Sequence, residues 1–300
     1  MSRYRYLTAG KMKVFSLGLL ILSVLAVNAH AQSILGNASS FAVLGGTADV
    51  TNTGSTTLSG NLGVSPGTSI TQAGTFTFTS GTIHDNDAVA AAAQGSLTTA
   101  LTDLGALSSV ATLIGANLTL DGPLAPGVYS VPAAISNLTG SLTLAGTSNA
   151  NDTWVFLMPS TLITSTGSSV TVTGDGTNGG NVFWDVGSAA TIQSGTKFYG
   201  NILAVANIAM VTGATDSCGS VLSQTAVTLD TNTISKGCNL GVTATTSGGV
   251  TTVIVPTGGS GGGTITGTVM VPEGGSTLLY LCSFLLPLGA MRAFRFRRSI

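Results

Sequence analysis

Through most of residues 33–241, apolar and polar side chains alternate with a period of two in runs of four to six residues. Ser141-Leu142-Thr143-Leu144 and Gly74-Thr75-Phe76-Thr77-Phe78-Thr79 are typical, and the runs end at Gly or Asn. β-Branched Thr and Val in such alternation predict short strands with one buried face. The second half also repeats. Trp154, Trp184, Ile202 and Val221 are each followed eight residues later by Leu162, Ile192, Met210 and Leu229, and these anchors are 30, 18 and 19 residues apart. The long first interval contains the loop-like Gly174-Asp175-Gly176-Thr177-Asn178-Gly179-Gly180. A coil of about 18–20 residues with several short strands predicts a parallel β-helix, with the repeated apolar positions forming inward ladders. A sandwich of antiparallel hairpins is the structural alternative, but it does not require a constant eight-residue offset.

One segment follows a different period. After His84-Asp85-Asn86-Asp87, residues Val89, Ala93, Leu97, Leu101 and Leu104 fall at helical spacing in an alanine-rich stretch. This predicts one helix over about 87–104, capped by the preceding Asp or Asn and packed along the flank of the β-helix.

The ends read as targeting signals. Residues 1–31 carry basic Arg3 to Lys13, apolar Val14 to Val27 and the small-x-small site Ala29-His30-Ala31, the layout of a cleaved secretory signal. Residues 271–300 open on Val271-Pro272-Glu273-Gly274-Gly275-Ser276. An apolar stretch, Thr277 to Ala290, then leads to Arg292, Arg295, Arg297 and Arg298. This tail resembles the PEP-CTERM sorting signals of bacterial surface proteins, and a plain transmembrane helix is the alternative. Either places the body outside the cytoplasm. Residues 242–270, with Ser247-Gly248-Gly249 and Thr257-Gly258-Gly259-Ser260-Gly261-Gly262-Gly263, predict a flexible Gly/Ser/Thr-rich linker between the 32–241 domain and the tail.

Removing the ends changes the charge picture. Between Gln32 and Met270 there are two lysines, Lys197 and Lys236, against ten Asp, a formal charge of −8 with no Arg or Glu. Clustered cations for phosphate are missing, which argues against nucleic-acid binding, and arginine-based catalysis is excluded. Cys218 and Cys238 lie twenty residues apart in the body. In an oxidising compartment a disulfide there stabilises by roughly 3 kcal/mol. The alternative, a pair of metal ligands, lacks companions, since His84 is the only histidine of the mature body.

Residues flanking the inward Leu, Ile and Met positions share a register. Thr161-Leu162-Ile163-Thr164, Thr191-Ile192-Gln193-Ser194, Ala209-Met210-Val211-Thr212 and Thr228-Leu229-Asp230-Thr231 stack small side chains on an outer face. Stacked strands repeat at ~4.7 Å and alternate outward residues at ~6.7 Å. A stiff, uncharged lattice of hydroxyls and methyls on these spacings is loosely commensurate with ice and suits an ordered water layer.

Eight ordered blocks between about Leu35 and Leu240 resemble the bacterial and fungal ice-binding proteins of the DUF3494 type. They are Phe41-Ala42-Val43-Leu44, Val50-Thr51-Asn52-Thr53-Gly54, Gly60-Asn61-Leu62-Gly63-Val64-Ser65-Pro66-Gly67 and Gly81-Thr82-Ile83-His84. The others are Asp87-Ala88-Val89-Ala90-Ala91, Pro126-Gly127-Val128-Tyr129, Asn181-Val182-Phe183-Trp184 and Ala226-Val227-Thr228-Leu229-Asp230-Thr231-Asn232-Thr233. The resemblance implies a mainly β fold: a discontinuous right-handed parallel β-helix of triangular section with one long α-helix alongside, binding ice through one flat face. Some members carry Thr-Ala/Gly-x-Thr/Asn on that face. Thr212-Gly213-Ala214-Thr215 fits this motif, while Ser194-Gly195-Thr196-Lys197, Thr164-Ser165-Thr166-Gly167 and Thr231-Asn232-Thr233-Ile234 fit in part.

The expected ice-contacting residues are therefore Thr161, Thr164, Thr166, Thr191, Ser194, Thr196, Thr212, Thr215, Thr228, Thr231 and Thr233. The expected partner is an ice crystal surface, met by an exported monomer, secreted or held at the cell envelope by its tail. No cofactor, metal or catalytic residue is expected. Two rivals remain at this level. A polysaccharide-active enzyme needs paired carboxylates from Asp175, Asp185, Asp216 and Asp230, of which Asp175 sits in a turn-like loop and Asp185 follows an inward Trp. A surface adhesin holding polysaccharide fits the export signals and the Thr-rich body.

Overall fold

The structure, a computed structural model, describes residues 32–132, 134–147, 152–174, 181–236, 243–247, 250–257 and 263–270. The expected signal at 1–31, the tail at 271–300, Asp175 and Cys238 lie outside these residues. Alternating Thr, Val, Leu and Ile fold into three parallel sheets that wrap one interior, so the parallel β-helix expectation holds over the sandwich. The first sheet has nine strands and the second and third have seven each, giving three faces.

The coils do not stack in chain order. On the first face the strands run Ile83–Asp85, Asn61–Val64, Phe41–Gly45, Val221–Ser223, Asn201–Ala204, Asn181–Val186, Thr153–Met158, Gly127–Ser130 and Thr112–Leu113. The chain thus builds two coils, leaves for the far end, and returns coil by coil. Its last coil closes against its first, with Val43 paired to Val221 and Leu44 to Leu222. The helix Ala88–Gly105 and the 3-10 turn Ala106–Val110 make the passage. Eighteen α-helical residues span about 27 Å. Five 3-10 residues add about 10 Å. Nine stacked strands need about 38 Å. The helix length is therefore matched to the stack it crosses.

Asp87 caps the helix, its Oδ1 accepting from the Ala90 N–H at 2.8 Å. The buried stripe is Ala90, Ala93, Leu97, Ala100 and Leu104; of the expected stripe, Ala93, Leu97 and Leu104 belong to it, Leu101 packs half-buried against it and Val89 falls outside. Val89 is exposed. Four-residue steps drift by 40° around an α-helix, whereas alternating three- and four-residue steps hold one line. Alanines on that line let the helix lie close to Phe41, Leu44, Val155, Leu157, Phe183, Leu203 and Leu222, the outward residues of the first face. Gln94 then bridges the closing seam. Its Nε2 donates to the carbonyls of Gly45 at 2.7 Å and Ser223 at 2.9 Å, one on each of the two strands that meet there.

Inside, ladders of like side chains run down the axis. Phe156 stacks on Trp184 with centroids 4.2 Å apart and planes 9° from parallel, and Tyr129 stacks on Phe156. Trp184 pairs in register with Phe156, not with Trp154, which faces Val182. The expected repeat is thus right in period but slipped by two residues in its first coil. A two-residue slip keeps each side chain on the same side of a strand, which is why alternation alone does not detect it.

The expected linker is not one. Thr243–Ser247, Val250–Thr257 and Gly263–Met270 form antiparallel strands, joined by Gln32–Ser33, in a small sheet beside the helix. The glycine runs fall between these strands, and the β-branched run Val250-Thr251-Thr252-Val253-Ile254-Val255 decides the conformation.

Candidate functional site

With the first face covered by the helix, two faces remain open. On the second, the strands are Ser136–Leu138, Leu162–Thr164, Ala190–Ile192, Ile208–Met210, Val227–Leu229, Val50–Asn52 and Ile70–Gln72. Each offers one central outward residue. The resulting column is Asn137, Ile163, Thr191, Ala209, Thr228, Thr51 and Thr71, paired in unbroken register. Every member is short or uncharged, and Thr and Ala dominate. Beneath it, Leu162, Ala190, Ile208, Val227 and Val50 pack the interior and hold the backbone level.

The third face is richer in hydroxyls. Its strands are Ser141–Ala145, Ser169–Thr173, Lys197–Tyr199, Thr215–Ser217, Thr233–Ser235, Ser55–Ser59 and Thr75–Ser80. One outward column reads Ser141, Ser169, Lys197, Thr215, Thr233, Thr57 and Thr77. In the next column Thr143 stacks on Thr171, and Tyr199, Ser217, Ser235, Ser59 and Ser80 continue in line. Lys197 is exposed in the middle of this face, beside Tyr199. The register shifts between Leu58 and Ser59. A long cation, a tyrosine and a bulge break the plane.

The corner between these faces is a stacked turn. Gly167, Gly195 and Gly213 hold φ of 71°, 65° and 71°, and Thr231 takes the equivalent place at φ 56°. Each glycine N–H donates to the carbonyl just before the next left-handed residue: Gly167 to Ser194, Gly195 to Thr212, Gly213 to Asp230. The three glycines face open space, so the positive φ is what requires them. The residues preceding them line up as Thr166, Ser194, Thr212 and Asp230, an exposed or half-exposed row along the edge of the second face.

The eleven expected contact residues divide among four places. Thr191 and Thr228 belong to the second face, and Thr161 immediately precedes its strand Leu162–Thr164. Thr166, Ser194, Thr212 and Thr231 lie along the corner. Thr215 and Thr233 point from the third face. Thr164 and Thr196 are buried, and as surface contacts they are corrected. Their Oγ1 atoms lie 2.9 Å apart, Thr164 Oγ1 accepts from the Gln193 N–H, and Ser168 Oγ joins at 3.3 Å. The two-residue slip explains Thr164, which stacks at the level of Ile192. Thr196 occupies the third position of its motif, where Ala214 is also buried. Residues the alternation did not single out include Thr51 and Thr71 of the second column. Their coils precede the helix, outside the repeat found in the second half, and their signal is pairing with Thr228.

Among the described residues, the carboxylates of the enzyme reading, Asp185, Asp216 and Asp230, are in separate layers. Asp185 points from the first face toward the helix layer, paired between Leu157 and Leu203. Burial pushes its pKa up to about 7. Asp216 is buried inside, between Phe198 and Ile234, and burial raises it well above the carboxylate range. Asp230 lies at the corner.

Comparison with known proteins bears on this geometry. The family model described as ice-binding-like matches residues 43–235. An ice-binding protein of Nostoc sp. (strain HG1) is 46% identical over 209 residues, covering 69% of this chain and 75% of that protein. An ice-binding protein of Flavobacterium frigoris (strain PS1) is 32% identical over 212 residues, 67% of this chain and 75% of its own. Among solved structures, the ice-binding protein of the Antarctic ascomycete Antarctomyces psychrotrophicus superposes with a TM-score of 0.58 at 35% identity, covering 68% of this chain and 98% of that one. An ice-binding protein from an Antarctic biological consortium gives 0.59 at 34% identity, covering 69% and 91%. With its three-sided coil stack, its flanking helix and a family match across both, the chain belongs to the ice-binding-like family.

Proposed function

We propose that the protein adsorbs to ice through the second face and its corner, and that adsorbed molecules pin the growth front, depressing freezing and inhibiting recrystallisation. The observation that carries this reading is the second column, seven paired positions without a charge or a register break. Neighbouring strands place these residues ~4.7 Å apart. Thr methyls and hydroxyls with Ala and Ile present a surface that orders water without strongly hydrating it. The reaction is binding alone, with no turnover. Thermal hysteresis and ice recrystallisation assays on the purified protein test it, and absence of both activities overturns it.

The same reading includes export with cleavage after Ala31, retention by the 271–300 tail, a Cys218–Cys238 disulfide and a monomeric working form. The first is checked by N-terminal sequencing of material from the culture and envelope fractions. Mass spectrometry of alkylated, unreduced protein checks the disulfide, and light scattering checks the monomer.

A further inference from the structure

Along the corner, Thr166, Ser194 and Thr212 supply hydroxyls, and the next coil supplies Asp230 in the same place. Each oxygen of its carboxylate accepts a hydroxyl from one of the two threonines beside it. Thr212 Oγ1 donates to Asp230 Oδ2, across the coil boundary, and Thr231 Oγ1 donates to Asp230 Oδ1 at 3.1 Å. The backbone holds the carboxylate there. The Asp230 N–H donates to Asn232 Oδ1 at 2.7 Å. Asn232 Nδ2 in turn donates to the carbonyls of Val211 and Ala214, each at 3.0 Å. Thr231 is a β-branched residue at φ 56°, a conformation costly for such a side chain. Gly54 leaves room for the arrangement, because a Cβ there would meet Thr231 Oγ1 at 2.1 Å and Asp230 Oδ1 at 2.6 Å.

From this geometry we infer that Asp230 is a positioning residue of the ice-contacting corner, fixing Thr212 and Thr231 as hydrogen-bond acceptors toward the ice. An ionised carboxylate only accepts, so both hydroxyl hydrogens turn inward to it. The outward lone pairs of Thr212 and Thr231 then require the facing water layer to donate. Asp230, the one charge in the corner row, is spent on ordering its neighbours. This role rests on the proposed ice contact.

The test compares Asp230→Ala and Asp230→Asn with the unaltered protein, both alone and with Thr212→Val and Thr231→Val. Thermal hysteresis is read at equal molarity, and side-chain χ1 couplings of Thr212 and Thr231 by NMR. Asp230→Ala is expected to lower hysteresis several-fold and to average both χ1 angles. Asp230→Asn, whose carbonyl still accepts one hydroxyl, should recover part of each. In the double-valine background, replacing Asp230 should change nothing further. Unaltered hysteresis or fixed χ1 angles in Asp230→Ala overturn the role of Asp230 alone, as does an equal loss in the valine background. If Asp230→Ala fails to fold, Asp230→Asn decides: both χ1 angles and hysteresis at parental values overturn the role. An inactive parent overturns the functional reading itself.

Discussion

The second and third faces are built by the same coils from the same alternation, yet they differ in what they offer a crystal. The third face has more hydroxyls, and the second has fewer interruptions. Lys197 and Tyr199 stand on the third at the level of the coil whose second-face residue is Thr191. On the proposed reading, hydroxyl count is a poor guide to the ice-adsorbing surface. Continuity matters more, because a rigid lattice meets all seven strands at once and one long, mobile, hydrated side chain holds it off.

One bulky residue should affect the two faces very differently. Thr228→Tyr, in the middle of the second column, should remove most of the thermal hysteresis, whereas Thr215→Tyr on the third face should leave it nearly unchanged. Equal losses from the two would place ice on the edge between faces, and the reverse order would move the site to the third.

The covered first face supplies the next contrast, through stability. Asp185 has a pKa of about 7 when folded against a reference of 3.8. The folded chain holds a proton in that interval that the unfolded chain has lost. The contribution of Asp185 to stability is thus most favourable below about pH 4, falls as pH rises toward 7, and levels off above it. Asp103 on the helix and Asp216 inside are raised by burial in the same sense. Asp185→Asn should raise stability at pH 8 by up to roughly 4 kcal/mol, with little change at pH 4, as read by Tm across pH. A Tm gain of the same size at both pH values would show that ionisation is not the cause.

A smaller effect separates interior from surface threonines. Thr196→Val leaves the Thr164 and Ser168 hydroxyls without their shared partner and should cost about 1–3 kcal/mol in denaturant unfolding. Hysteresis, measured near 0 °C where the protein remains folded, should hold at the parental value. Loss of hysteresis in a folded variant would mean that the interior hydroxyls shape the face.

Lys197→Thr completes the third-face column between Ser169 and Thr215 and should leave hysteresis unchanged within error. A clear gain would reveal a second adsorbing plane held in check by one charge.

How far the sequence carried these conclusions differs from element to element. Trp184, Ile202 and Val221 announced the ladders because apolar side chains must recur wherever coils stack. Asp87 announced the helix start, because a free N-terminal turn needs an acceptor. The buried helix stripe lies a fraction of a turn from the one the spacing predicts, since alanine is compatible with either side and only contact with Phe41 and Leu44 selects one. Among candidate contacts, Thr191 and Thr228 were legible from their flanks. Thr164 was not, because a shift of two residues preserves the alternation while moving a side chain from the corner to the interior. Thr51 and Thr71 were out of reach, being joined to Thr228 only when the last coil docks on the first.

What is local and periodic can be read from the order of residues: strand alternation, coil length, one capped helix, and a body almost free of cations. These follow from side-chain chemistry acting within a few residues. The tertiary structure alone decided which coils are neighbours, which face the helix covers and which hydroxyls share a plane. Those choices depend on the closing of the chain at Val43 and Val221, 178 residues apart, and no local pattern encodes a contact across that distance.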